Sequence, residues 1–453
     1  MAEATTDPVR FPPGPRLPKA LQGLGFVTAR QQSMALAGKR FGPAVTLNLP
    51  IFGKAVVISD PALIKDVFTT NPELLGLESN LGAVLGPGSS FSLNGEEHRQ
   101  RRKLLVPPFH GKRMKTYEQL IEEETLREIA TWPEGVEFAT LESMMRITLS
   151  AILRAVFGAQ GQALDDLREL LPPAVLLGSR LAVLPPLARR DFGPGTPGRR
   201  LRDFRRRYDV IVQKLVDDAR ADPQLDERSD VLSMMLRACY DDGSPITFEH
   251  LADELLTLLV AGHETTATTL AWTVERLRRH PRLLERLTAE VDAGGSDLLQ
   301  ATIWEVQRTR PVIDATIRCT RTRLRLGEWV IPEGRTLIVS FTQVHDSETN
   351  FPAADAFDPD RFTDAKPDTY TWIPYGGGVR RCIGAAFANM EMMVTLRTLL
   401  QTFELVPTQA PAEKRQSRGI ANAPKHGGLA VVHRRAPRAE PAASRADAVP
   451  ATP

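Results

Sequence analysis

Cysteine is scarce in this chain, with Cys239, Cys319 and Cys382 the three among 453 residues. They are odd in number and far apart in sequence, which excludes a disulfide framework and fits a reducing compartment. Long apolar runs are missing too. The longest, around Leu255 to Gly262, is stopped by His263 and Glu264, well short of the ~20 residues that a spanning helix needs. The N-terminus, Met1-Ala2-Glu3-Ala4-Thr5-Thr6-Asp7-Pro8, has neither the basic nor the apolar region of a secretory signal. These absences predict a cytoplasmic protein with no membrane span. An excess of one charge is also lacking: a formal net charge of +2 offers little pull on a polyanion, so no nucleic-acid partner is expected.

What is present is ordinary globular material, 42% apolar and 25% charged, enough for a sizeable core. Pro12-Pro13-Gly14-Pro15 and Pro18 predict a stiff, extended proline-rich leader over residues 1–29. Residues 433–453, rich in Ala, Pro and Arg, predict a disordered tail. One continuous domain, residues 30–432, lies between them, with no internal linker and no repeat. Strand-like runs at Ala44–Leu49, Ala55–Ile58 and Thr336–Ser340 flank long helical stretches. The expected class is mainly α (α+β), a helical domain with a small segregated β-sheet region. Glycine and proline crowd Pro185 to Gly198, which reads as a mobile loop between helices. The arginines that follow, from Arg199 to Arg207, read as a solvated helix face.

The most informative segment is Tyr375-Gly376-Gly377-Gly378-Val379-Arg380-Arg381-Cys382-Ile383-Gly384. Its glycines can adopt positive φ and lie flat against a bulky planar ligand. Two arginines precede the cysteine and a helix-forming run follows it. A thiol at a helix N-terminus beside cations is expected to have a lowered pKa, which makes Cys382 a candidate thiolate and metal ligand. A second segment lies in a helix expected from an N-cap at Thr247 to Arg279, where His280-Pro281 ends it. Its centre reads Ala261-Gly262-His263-Glu264-Thr265-Thr266. Glycine is a poor mid-helix residue, so something is expected to approach the backbone there. Ala261 and Thr265 share a face, and Thr265 can bond back to the Ala261 carbonyl and loosen the helix.

Both segments resemble motifs of the cytochrome P450 (haem-thiolate monooxygenase) family, soluble bacterial type, and the resemblance covers about residues 30 to 432. Tyr375, Gly378, Arg380, Cys382 and Gly384 match its haem-binding loop, with tyrosine where phenylalanine is usual and a hydroxyl that needs a partner. The helix segment resembles its oxygen-activation motif, in which Glu264 is the acid and Thr265 the alcohol of a proton relay. Glu305 and Arg308, with Arg361 of Phe357-Asp358-Pro359-Asp360-Arg361-Phe362, resemble its structural triad. The resemblance implies haem b bound through Cys382, with its propionates on His98, Arg102, Arg318 and Arg380.

It further implies a monomeric monooxygenase that inserts one oxygen atom from O2 into an apolar substrate such as a fatty acid, terpenoid or steroid. Electrons are expected from a separate ferredoxin and its reductase, so that NAD(P)H acts only indirectly. Arg99, Arg101, Lys103, Lys112, Arg113 and Lys115 form a basic cluster expected to receive an acidic ferredoxin. The expected substrate lining is Leu81 to Ser92, Pro311 to Ile317, and Ile420-Ala421, where Asp314 is read as capping a turn in preference to orienting a polar group. Two other readings stay open at this point: a peroxide-driven haem-thiolate enzyme, and a haem-binding sensor without turnover.

Overall fold

Thr247 starts the helix around which the others are arranged. Its hydroxyl accepts a hydrogen bond from the His250 amide, and the helix runs over Phe248–Leu277, 30 residues or about 45 Å. It stops two residues before the expected Arg279, because His280 already caps the next helix and Pro281 opens it. The structure, a computed structural model, describes residues 2–436 apart from 51, 110–113 and 159–160. It is 53% helical with small separate sheets, the mainly α arrangement expected.

The helices that position the site are α1 (Lys19–Thr28), α2 (Asn80–Leu85), α3 (Gly95–Leu105), α4 (Thr140–Phe157) and α5 (Gln162–Ala182), followed by α6 (Pro197–Ala221), α7 (Phe248–Leu277), α8 (Asp297–Thr309) and α9 (Ala385–Thr402). Helix α7 is buried on nearly every side, as a helix that runs through a core must be, and it carries buried acids such as Glu254 and Glu264 among its leucines. Leu251, Leu255 and Leu259 pack with Ile152 and Val156 of α4 and with Tyr208 of α6. Further along, Leu270 and Val274 join Ile147 of α4 and Leu396 and Leu399 of α9.

The main sheet holds β1 (Ala44–Leu49), β2 (Gly53–Ile58), β3 (Leu75–Gly76), β4 (Ala315–Thr320) and β5 (Thr336–Ser340), in the order β1-β2-β5-β4-β3. The β2–β5 pair is parallel and the others are antiparallel. Val56, Ile58, Leu337 and Val339 bury one face of it against Phe68 and Ile373. Near the C-terminus β6 (Arg415–Ser417) and β7 (Asn422–Pro424) form a hairpin, fixed to α7 where the Trp272 indole donates to the Asn422 carbonyl at 3.0 Å.

Described parts of both terminal stretches form elements that the composition does not predict. The stretch read as an extended leader contains α1, capped by Pro18, and its Glu3–Ala4 pairs with Leu324 and Arg325. In the stretch read as a disordered tail, His433 and Arg434 belong to the strand Val432–Arg434, paired with Phe403–Leu405. Backbone pairing with existing strands outweighs local composition at these positions. The remainder of that tail, from 437, lies outside the described residues. The Pro185–Gly198 stretch is a connection with one short 3-10 turn at Pro186–Arg189, and α6 begins inside it at Pro197.

Candidate active site

Cys382 stands three residues before α9, and its amide donates to the Tyr375 carbonyl at 3.0 Å, which closes the glycine loop. Gly376 and Gly378 take φ of 64° and 65°, the left-handed region open to glycine. Close approach constrains the loop as well: a Cβ on Gly377 would strike the Phe68 ring, and one on Gly378 the Phe68 carbonyl. The Tyr375 hydroxyl has the partner it needs, accepting from Gln307 Nε2 at 2.8 Å, and burial pushes its pKa up.

Cys382 is accessible, yet the protein around it determines the thiol's acidity. Burial pushes its pKa up, while the Gly384 amide, Arg102 and Arg381 pull it down by less. This corrects the expectation of a lowered pKa: the helix terminus and the cations are present, but desolvation of the anion outweighs them. A cation bonded to the sulfur would favour the thiolate here. Among the described residues there is no cluster of three or more His, Cys, Asp or Glu side chains. Among the described residues, Cys382 is therefore not part of a three-ligand protein site for a bare metal ion.

His98, Arg318 and Arg380 line one pocket beside the loop, together with Phe68 and Gly377. Arg380 donates to the carbonyls of Ser90 and Leu93 and to Asn94 Oδ1, at 3.3, 2.6 and 2.9 Å. Arg318 donates to the Ile317 carbonyl at 2.7 Å and to the Gly377 carbonyl at 3.4 Å. Burial lowers both guanidinium pKa values to about 10, and in Arg380 the neighbouring Arg318, Arg321 and Arg102 add to it. Burial, then Arg380, Arg102 and Arg318, drive His98 down to about 3. Among the described residues none of these arginines is paired with a carboxylate. Concentrated positive charge without a counter-ion suits a ligand carrying carboxylates, and this donor set fits haem.

On α7 the Thr265 hydroxyl donates to the Ala261 carbonyl at 2.8 Å, the back-bond expected. From Leu251 to Arg278 that helix is buried except at Leu258, Val260, Ala261, Gly262 and Thr265. Four of these, spaced by three and four, form one accessible stripe at mid-helix. The close approach expected at Gly262 is made by the Ile152 side chain of α4, so this glycine serves helix packing. Glu264 lies off the stripe. It is buried, with Oε1 accepting from Arg418 Nε at 3.1 Å. Burial raises its pKa, and Arg418 and Ser179 pull it down by less.

The triad read from sequence assembles completely. Arg308 holds Glu305 through two bonds of 2.7 Å, both side chains fully buried, and Arg361 lies 3.3 Å from the same carboxylate. The basic cluster fares differently. Arg101 is buried, paired with Glu254 at 3.0 Å and bonded to the Tyr240 hydroxyl at 2.7 Å. Arg99 and Lys103 are exposed and paired with Glu96 and Asp241, Lys115 is exposed, and Lys112 and Arg113 lie outside the described residues. Among the expected lining residues Leu85, Val312 and Ala421 are packed into the core. Asp314 pairs with Arg30 at 3.3 Å instead of capping a turn. Arg418, Gln307 and Glu254 went unread in the sequence because their partners are distant in it and no spacing signals the contact.

The family model for cytochrome P450 matches residues 12–431. Cytochrome P450 138 of Mycobacterium tuberculosis (strain H37Rv) is 54% identical over 429 residues, covering 94% of this chain and 97% of that protein. Cytochrome P450 135B1 of the same strain is 36% identical over 460 residues, covering 98% and 95%. Among solved structures, retinoic acid-bound cyanobacterial CYP120A1 superposes with a TM-score of 0.82 at 23% identity, covering 95% of this chain and all of that one. CYP102L1, a cytochrome P450, superposes at 0.80 with 26% identity and the same coverage. Matched by that family model over nearly its whole length, and by a relative across 94% of it, this chain belongs to the cytochrome P450 family.

Proposed function

We propose that this haem-thiolate monooxygenase binds its haem iron through Cys382. We further propose that it hydroxylates an apolar substrate such as a fatty acid, terpenoid, steroid or similar secondary metabolite. A separate ferredoxin and its reductase deliver the electrons, drawn from NAD(P)H, to a monomer in the cytoplasm whose catalytic domain spans residues 30–432. Bound haem b supplies the redox chemistry that activates O2. The observation that carries this reading is the placement of Cys382, on a glycine-shaped loop beside arginines that lack carboxylate partners among the described residues.

His98, Arg102, Arg318 and Arg380 hold the two propionates as hydrogen-bond donors and counter-charges. The accessible stripe over Leu258, Ala261 and Thr265 would line the space where the bound haem activates O2. The Thr265 hydroxyl, already ordered by Ala261, passes a proton there. Glu264 recharges it, and its raised pKa suits a carboxyl that donates. For that step the acid leaves Arg418 and turns toward the stripe. Lys103 and Lys115 on the exposed basic surface steer the acidic ferredoxin.

The experiment is turnover with surrogate ferredoxin, reductase and NADPH, on substrates chosen from a lipid and terpenoid panel by the spin-state shift they cause. An oxygenated product is expected. The Thr265→Ala variant should divert NADPH from product to peroxide, and unchanged coupling would contradict the relay.

A further inference from the structure

In the proposed relay Glu264 leaves Arg418, and that departure has a cost, because a buried carboxylate without its cation is uncompensated. A second carboxylate on the same guanidinium offsets the cost for the arginine, since one anion replaces another. The geometry at Arg418 suits such an exchange. Its Nε makes a single bond to Glu264 Oε1 at 3.1 Å. By contrast, Arg308 grips Glu305 and Arg276 grips Glu275 through two bonds each. Among the described residues no hydrogen-bond acceptor faces the two terminal nitrogens of Arg418. Its side chain is 31% exposed and that of Glu264 8%, so the cation reaches water while the acid is enclosed.

The backbone that carries Arg418 is fixed. Its amide donates to the Ala421 carbonyl at 2.9 Å, which closes the tip of the β6–β7 hairpin. Gly419 takes φ of 121° and presses on α5 so closely that a Cβ there would strike the Ser179 carbonyl. The Ile420 amide donates to Ser179 Oγ, and the Trp272 indole holds the Asn422 carbonyl. A guanidinium on a rigid turn has less freedom to lose when a ligand takes its free edge. Through Glu264 this tip meets α7 one residue from Thr265.

We propose that Arg418 anchors a carboxylate at the end of an apolar substrate, and that its arrival frees Glu264 for proton transfer. The bond from Nε to Glu264 breaks, and the planar guanidinium edge takes the substrate carboxylate in its place. No proton or electron moves in the exchange itself. The half-buried Ile420, two residues along the tip, meets the apolar chain beside its charged end. A molecule without an anionic group leaves Glu264 on Arg418, so the exchange ties proton delivery to the presence of the right substrate.

The inference deepens the monooxygenase reading and rests on it. Of the substrate classes named there it selects those that carry a carboxylate, fatty acids first. The two anions compete for one cation, so by linkage each weakens the hold of the other to the same degree. Removing Arg418 and removing the charge of Glu264 should therefore move acid binding in opposite directions.

The test uses purified holoprotein with decanoic, lauric, myristic and palmitic acids, beside the alcohols of matching length. Binding is read by calorimetry and by the spin-state shift. The parent protein should bind the acids more tightly than the alcohols. Arg418→Gln should weaken acid binding about tenfold or more. Glu264→Gln, which removes the competitor, should tighten it about threefold or more. The alcohols should follow neither change, whereas a merely structural role would shift both series together. An unaltered carbon monoxide spectrum shows that each variant is folded, and a parent protein without a thiolate-type band would refute the haem reading instead. A parent protein that binds no acid, or prefers the alcohols, would overturn the inference. So would an Arg418→Gln variant that loses both series alike, or a Glu264→Gln variant that binds acids no tighter. In turnover the acids should release less peroxide per NADPH than the alcohols. Equal release would overturn the freeing of Glu264 by substrate and assign it to ferredoxin docking.

Discussion

Arg418 holds the buried Glu264 in a partly buried ion pair, Nε to Oε1 at 3.1 Å, and ties the acid of the central helix to the tip of the β6–β7 hairpin. The same tip is anchored to α5, where the Ile420 amide donates to Ser179 Oγ at 2.9 Å. Arg418→Gln leaves a buried carboxylate without its cation and should cost about 2 kcal/mol of stability at neutral pH. Glu264→Gln/Arg418→Gln should recover most of that, because no charge is then buried alone. Arg418 pulls the Glu264 pKa down, so its removal raises that pKa further. The deficit of the single variant should therefore shrink as pH falls and Glu264 takes up its proton. Urea unfolding at several pH values checks both statements.

The triad makes a stronger prediction. Arg308 bonds the carbonyls of His345, Ala354 and Ala356 at 2.9, 2.8 and 2.9 Å in addition to Glu305. Arg308→Ala leaves the buried Glu305 carboxylate with Arg361 as its remaining cation and strands three carbonyls, at a cost of about 4 kcal/mol. Denaturant midpoints should fall accordingly and little holoprotein should be recovered. Arg308→Lys should rescue poorly, because an ammonium lacks the planar fork that spans these acceptors.

Neighbouring cations on α3 should behave oppositely. Arg101→Ala breaks a fully buried pair with Glu254 and should cost about 3 kcal/mol or more. Lys103→Ala removes an exposed pair with Asp241 and should cost less than ~0.5 kcal/mol. Only the latter should lower the ferredoxin association rate in a salt-dependent way, read by stopped-flow reduction. Equal stability losses would contradict the burial of Arg101.

These contrasts show what the sequence could and could not convey. The glycine loop that carries Cys382, the Thr265–Ala261 back-bond and the Glu305–Arg308 pair were legible because each lies in local spacing, one loop or one helical turn. Arg361 followed by resemblance. Arg101 was misread because Arg99, Arg101 and Lys103 look alike in sequence, and only the packing of α3 decides which one turns inward. The Arg418–Glu264, Gln307–Tyr375 and Arg30–Asp314 contacts join residues too far apart in the chain for periodicity to register. Strand pairing at both ends ordered segments whose composition alone predicts none.

Acid sensitivity follows from buried histidines, two of which are not among the proposed propionate contacts. Burial drives His345 down to about 3 and His263 to about 4, against about 6.5 in the unfolded chain. The fold favours the neutral imidazoles, so their contribution is complete above pH ~6.5 and is lost as pH falls toward the folded values. Each histidine adds a slope of up to about 1.4 kcal/mol per pH unit. Urea midpoints should fall between pH 7 and 5, and His345→Gln should flatten part of that slope. An unchanged slope would contradict the assignment.

The claim on which the mechanism rests is a bond between the Cys382 sulfur and haem iron. The direct measurement is the visible spectrum of the purified, reduced protein under carbon monoxide, beside Cys382→Ser. The account predicts the long-wavelength Soret band of thiolate ligation in the parent protein and its loss in a variant that still contains haem. A parent without that band, or a serine variant with an unaltered spectrum, would contradict it.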